Sequence, residues 1–244
     1  MSKKTFVLFF FLIFFSNCQD YDSILNKLKG YLQNNVDNEV FINFMEVLRH
    51  AYKKKFPDHL AKNKEGFKNH LATIKRNRGF IEDQGNYKDM YYGLLELSKN
   101  GCELIAIYNA LYEITKKDDI DFPAIVDKHE KDGMILSGLF GTSMKSIEDY
   151  FKKNGFKTAS SWKKEDYEKI AKESDVLILT IYNNKDDILD QVHTVCITKK
   201  NGKLYVHNNG ANSASVAYDS ITDVLKRINS GRAKDIFLVG INKK

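Results

Sequence analysis

A cysteine, a histidine and an asparagine, in that chain order, are the residues of this sequence whose types and spacing could do covalent chemistry. The cysteine is Cys102, in Asn100-Gly101-Cys102-Glu103-Leu104-Ile105-Ala106. The histidine is His193, in Gln191-Val192-His193-Thr194-Val195-Cys196-Ile197. The asparagine is Asn208, which closes Tyr205-Val206-His207-Asn208 and follows His193 by 15 residues. A thiol deprotonated by an imidazole, with an amide to orient the ring, is the apparatus of acyl transfer through a covalent intermediate.

Each position asks for a particular local structure. Cys102 follows Gly101 at the start of an apolar helix, where unpaired amides and the helix dipole favour a thiolate. The same segment also reads as a buried structural cysteine. His193 lies at the entry to a hydrophobic strand, as a base facing the thiol or as an ordinary edge-strand histidine. Asn208 lies across a hairpin whose turn is Asn201-Gly202, a strong two-residue turn signal. It shares strand parity with Leu204 and Val206, which favours it over Asn209 as the acceptor of the His193 ring proton. Asn-Asn-Gly is equally an ordinary strand exit. His207 is the rival base, but its parity opposes Asn208. Alternation also puts Cys196 on the face opposite His193. If His193 faces Cys102, Cys196 points away as a small apolar residue, whereas a Cys102–Cys196 disulfide would remove the nucleophile.

The elements that must hold these residues are legible from periodicity. Residues 20 to about 88 read as polar helices. Ile24, Leu25, Leu28 and Leu32 form one apolar stripe, and Val40, Phe41, Phe44, Met45 and Leu48 a second. His50, His59 and His70 lie among lysines and read as solvated. Arg78-Gly79 and Gln84-Gly85-Asn86 punctuate the chain, which suggests a boundary near residue 87. The spacing then predicts helices over 102–115, 121–131, 143–153, 165–174 and 220–229. It predicts strands over 176–182, 192–199, 203–207 and 236–241. A helical half carrying the cysteine and an antiparallel sheet carrying the histidine make an α+β domain over 88–244. A helical region over 19–87 precedes it, and a leader over 1–18 precedes that.

Composition narrows the partners. The 244 residues are 43% hydrophobic and 29% charged, with a net charge of +6 and no long basic block. Nucleic acid is therefore not expected as a partner, and nothing in the spacing asks for a metal or other cofactor. Lys3 and Lys4 precede an apolar run from Phe6 to Phe15 that is too short to span a bilayer of about 30 Å. The run ends at Ser16-Asn17-Cys18. One reading makes Cys18 the lipid-modified first residue of a bacterial lipoprotein, with Phe15 and Asn17 standing where that pattern usually has Leu and a small residue. A cleaved secretory signal or an uncleaved anchor are the others. All three put the mature domain outside the cytoplasm, lipid-anchored or secreted.

The combination resembles the papain-like cysteine peptidase superfamily, and within it the bacterial branch that includes bacteriocin-leader peptidases. The residues that carry the resemblance are Gly101, Cys102, Ala106, Asn109, His193 and Asn208, together with Gly138-Leu139-Phe140-Gly141-Thr142 leading into a helix that ends Lys153-Asn154-Gly155. It covers roughly residues 88 to 244. The resemblance implies a papain-like fold, a Cys102-His193-Asn208 site and hydrolysis of a peptide or other amide, with acyl transfer as a variant. The superfamily's oxyanion glutamine usually lies about six residues before the nucleophile. That position is Glu96 here, no glutamine lies between Gln84 and Cys102, and Asn100 or the Cys102 amide is the expected replacement. A carboxylate at that position also motivates the alternative, a non-catalytic papain-like surface lipoprotein that binds a peptide or protein. A third reading makes residues 20–88 a helical interaction module on an α/β scaffold.

Overall fold

The structure is a computed structural model, and it describes residues 38–51, 56–182, 192–210, 213–228 and 234–243. The leader over 1–18, Cys18 and the stripe from Ile24 to Leu32 lie outside the described residues. In chain order the described elements are α1 (Asn38–Ala51), α2 (Leu60–Arg76), β1 (Tyr91–Tyr92), β2 (Leu95–Glu96), α3 (Leu97–Asn100), α4 (Cys102–Thr115), α5 (Phe122–Asp132), α6 (Met144–Lys153), β3 (Lys157–Ser161), α7 (Tyr167–Glu173), β4 (Val176–Tyr182), β5 (Val192–Lys200), β6 (Lys203–His207), α8 (Ile221–Ile228) and β7 (Lys234–Asn242). The chain is thus a mixed α+β protein.

Local chemistry sets the helix ends. Asp121 caps α5 by accepting from Ala124 N, with Pro123 in the first turn, and Ser143 caps α6 by accepting from Ser146 N. Helix α4 is apolar on nearly every side because nearly every side is buried. It stops where Lys116 turns into the left-handed region. Asn201 and Gly202 both take positive φ, as a tight hairpin between β5 and β6 requires.

The main sheet is antiparallel throughout, in the order β3-β7-β4-β5-β6. Every residue of β4 is buried, in keeping with its central place and its unbroken apolar run. Strand β3 was not expected from the sequence. Its Lys-Thr-Ala-Ser-Ser carries no large apolar residue, and it is tolerated because it is an edge strand with only Ser161 buried.

Each face of the sheet buries its own core. Val176, Ile178, Val192, Cys196, Val239 and Ile241 pack with α4, α5 and α6. Leu177, Leu179, Val195, Ile197 and Val206 pack with α7 and α8 on the other side. The first core also contains Met45, Leu48, Phe67, Ile74 and Ile81. The boundary expected near residue 87 therefore does not divide the core. Phe67 of α2 meets Tyr108 and Phe122 edge-on or tilted, with ring centroids 6.1 and 5.4 Å apart.

Two of the histidines expected to be solvated are tied into this assembly. Buried His59 bonds through Nδ1 to Glu130 Oε1 at 3.0 Å, and His70 bonds to Asp89 at 2.8 Å while stacking on Tyr87. Only His50 of the three is exposed.

Candidate functional site

The segment from Phe80 to Gln84 runs as an irregular chain along α4 and gathers the site. Asn109, in the middle of α4, accepts from Ile81 N at 2.8 Å and donates to Ile81 O at 2.9 Å. One side-chain amide thereby satisfies both polar groups of a buried residue that has no strand partner. Asn63 likewise bonds both main-chain groups of half-buried Tyr91 in β1, accepting from its N–H at 2.7 Å and donating to its carbonyl at 2.9 Å. These clamps fix 81 and 91 against helices and set what lies between them.

Past Ile81, the Glu82 side chain and the Gln84 main-chain N–H reach β6 and the residue after it. Glu82 Oε1 accepts from His207 Nδ1 at 2.6 Å, and Glu82 Oε2 accepts from Asn208 N at 3.2 Å. His207 Nε2 bonds Thr198 Oγ1 at 2.9 Å and its ring stacks on Phe80, with centroids 4.0 Å apart. Both ring nitrogens are engaged, so His207 has no nitrogen left to act as a base. Gln84 N donates to Asn208 Oδ1 at 2.9 Å, and Gln84 Nε2 donates to Ser98 O at 3.0 Å. Gln84 therefore links the Asn208 turn to α3, the short helix that runs into Cys102.

Asn208 is buried and adopts a left-handed backbone, φ 62°. His193 Nε2 lies 2.7 Å from the Asn208 main-chain oxygen. A carbonyl only accepts, so Nε2 carries the hydrogen and Nδ1 keeps its lone pair. The side-chain amide was expected to orient the ring, and the backbone carbonyl does so instead. The side-chain Oδ1 is occupied by Gln84 N, and Nδ2 is buried without a partner.

Cys102 opens α4, with Gly101 before it. Its sulfur lies 3.9 Å from Val192 O and receives the N–H of Thr194. These are the residues on either side of His193, so the sulfur rests against the margin of β5 at the level of the histidine. The ladder from β6 reaches only to Cys196↔His207, which leaves that margin open. The nucleophile approaches the strand along its edge and not from one face. This corrects the alternation argument: Cys196 packs in the same core as α4, and Val195 and Ile197, which share the parity of His193, face the opposite core. Cys102 and Cys196 are nonetheless both free thiols.

The thiol donates to Glu103 Oε2 at 3.3 Å, and the His193 ring is not among its hydrogen-bond partners. Burial pushes the Cys102 thiol well above its ordinary value, and Glu103 pushes it the same way. Close packing lowers the pKa of His193, against the opposing effect of its bond to the Asn208 carbonyl. The resting pair is therefore a neutral thiol and a neutral imidazole. The helix start does not outweigh desolvation here.

Asn100 does not point an amide at the sulfur. Its Nδ2 donates to Tyr92 O at 2.9 Å and to Gly138 O at 2.7 Å, which uses both amide hydrogens. Glu96 accepts from Ser98 Oγ at 3.3 Å and lies 3.9 Å from Lys99 Nζ. Gln84, set aside in the sequence as turn punctuation, is the glutamine whose side chain reaches the turn before Cys102. Only one of its two amide hydrogens is used there. Comparison with protein-family models, with curated proteins and with solved structures finds no match to this chain.

Proposed function

We propose that this chain is an extracytoplasmic papain-like thiol hydrolase that cleaves a peptide or other amide bond. His193 Nδ1 takes the proton of Cys102, the sulfur attacks the carbonyl carbon, and a tetrahedral oxyanion forms. The imidazolium returns the proton to the leaving amine, an acyl-thioester remains, and water activated by His193 releases it. The Asn208 carbonyl holds the ring with Nδ1 unprotonated. Gln84 Nε2 and the Cys102 main-chain N–H are the oxyanion donors in this reading, in place of Asn100.

The observation that carries the reading is the seating of the Cys102 sulfur against Val192 O and Thr194 N, the residues that flank His193 in β5, together with the bond from His193 Nε2 to the Asn208 carbonyl. The extracytoplasmic assignment rests on the leader and its apolar run from Phe6 to Phe15, with Cys18 as the point of a membrane tether.

The test is cleavage of a mixture of unstructured peptides, followed by mass spectrometry, with Cys102→Ser and His193→Ala beside the wild type. Either substitution is expected to reduce the rate about 10³-fold or more. Gln84→Ala is expected to cost about 10²–10³ in kcat. Cleavage that survives Cys102→Ser undiminished refutes the proposal.

One observation favours a second reading, a papain-like binding protein without catalysis: the thiol hydrogen is directed at Glu103 and not at His193. Peptide binding with no turnover by the wild type selects it.

A further inference from the structure

The acid beside the nucleophile has no part in the mechanism above. Glu103 is completely buried, one residue into the same helix as Cys102. Its Oε2 accepts the thiol hydrogen at 3.3 Å, and its Oε1 has no hydrogen-bond partner. Leaving one carboxylate oxygen unpaired away from water is costly, and protonation is the cheapest relief. The fold makes room for the group: Gly141 passes it at φ +66°, and a Cβ there would meet the two carboxyl oxygens at 2.8 and 3.0 Å.

We propose that Glu103 is a second proton site of the nucleophile: ionised, it accepts the Cys102 S–H and holds the sulfur as a thiol; protonated, it donates to the sulfur and frees the thiol proton for His193. The proton that Glu103 gains comes from solvent. The thiol proton passes to His193 Nδ1, leaving a thiolate bonded to the carboxylic O–H, and no other bond changes. The inference rests on Cys102 and His193 being the reacting pair.

The groups that face Glu103 support this division of roles. Cys102 meets it from its own helix, and the Thr142 N–H meets it from the turn before α6. Tyr92 of β1 feels its charge, and the Tyr92 hydroxyl bonds Thr142 Oγ1 at 2.9 Å. Glu130 of α5 and Arg49 of α1 act on that same tyrosine. His193 of β5 lies in the chain between Val192 and Thr194, the two residues whose main-chain groups meet the sulfur. Among the described residues no cation forms an ion pair with Glu103. Burial places its pKa at about 7 from the usual 4.5, so the two states exchange near neutrality.

The experiment measures the rate of iodoacetamide alkylation at Cys102 between about pH 5 and pH 9, by peptide mass mapping, in the full chain and in Glu103→Gln. N-acetylcysteine is the free-thiol reference. Relative to that reference, the wild-type rate is expected to fall as pH rises through about 7. Glu103→Gln is expected to react at least about tenfold faster than wild type near pH 8, as a thiol pKa lower by one unit gives. The two rates converge near pH 5. Superimposable profiles in a folded Glu103→Gln protein overturn the proposal. Should that variant not fold, the wild type decides alone: a rate that tracks N-acetylcysteine across the range overturns it. Peptide cleavage is run in parallel. Cleavage with a flat profile removes the role of Glu103 and leaves the hydrolase, and the reverse result removes the hydrolase and leaves the proton site.

Discussion

The stability of this protein carries two opposed pH dependences, and Glu103→Gln separates them. Glu103 is buried with a pKa of about 7 against the usual 4.5. A carboxyl whose folded pKa is raised binds its proton more tightly in the folded chain. Its contribution is complete below about pH 4.5 and is lost as pH rises through about 7, a span of about 3 kcal/mol. His129 runs the other way. It is buried in α5, donates from Nδ1 to Ile125 O at 2.8 Å, and has its pKa lowered to about 4 from the usual 6.5 by burial. Its contribution is complete above about pH 6.5 and is lost as pH falls through about 4, again about 3 kcal/mol.

Between about pH 4.5 and 6.5 the two slopes nearly cancel, so the wild type shows little net dependence from this pair. Glutamine keeps the shape of the protonated acid and removes the titration. Urea unfolding at several pH values then gives the difference in stability between Glu103→Gln and wild type, in which every other group drops out. The difference is expected to be near zero at about pH 4.5 and to grow to about 3 kcal/mol in favour of the variant above about pH 7. The variant alone should show the rising slope of His129. A difference that stays constant across this range, or a wild type more stable than the variant near pH 8, refutes the reasoning.

Asn109→Ala strips a buried N–H and a buried C=O of their partners at Ile81 and is expected to cost about 2–5 kcal/mol in urea unfolding, while Asn63→Ala, whose bonds to Tyr91 are partly exposed, should cost less. Gly141→Ala forces a Cβ against the buried Glu103 carboxyl at positive φ, and a loss of about 2 kcal/mol is expected by thermal or urea unfolding. Glu82→Gln weakens the charge-assisted bond to His207 and the bond to Asn208 N, which should cost about 1–3 kcal/mol in the same assay and lower kcat, because the Asn208 carbonyl orients His193.

Apolar periodicity made the helices and central strands legible. Helix α4 begins at Cys102 and ends at Thr115, as its run of apolar residues predicts, and β4 and β6 match their expected limits. Strand β3 was invisible because an edge strand of Lys, Thr, Ala and Ser has no apolar alternation and a single β-branched residue, Thr158. His59 and His70 were misjudged because their partners, Glu130 and Asp89, stand 71 and 19 residues away. Parity described the faces of β5 correctly, yet it assumed that a thiol meets a strand on a face. The end of the β6 ladder at Cys196↔His207 opened an edge, and the sulfur uses it. Gln84 was hidden by counting residues. The β1–β2 hairpin and α3 lie between it and Cys102, so distance along the chain says little about distance in space.

The geometry of the site depends less on the apolar core than on buried asparagines. Residues 80–83 lie outside helix and sheet, β1 is a two-residue strand paired on one side, and 136–138 is a single 3₁₀ turn, so main-chain groups there that lack a ladder partner must find others. Asn109 satisfies Ile81, Asn63 satisfies Tyr91, Asn100 satisfies Tyr92 O and Gly138 O, and Asn208 accepts from Gln84 N. A side-chain amide offers a donor and an acceptor at nearly the spacing of a peptide group, so it can substitute for a strand where no strand fits. Asn109 and Asn63 hold their segments against α4 and α2, and Asn100 holds Tyr92 and Gly138 at the end of α3, just before Cys102. A leucine at any of these positions would keep the volume and the hydrophobic burial while releasing the segment it holds. The fold and the site are therefore encoded by different residues: alternating and helical apolar positions build the layers, and a few isolated amides set where Glu82, Gln84 and Asn208 come to rest around Cys102 and His193.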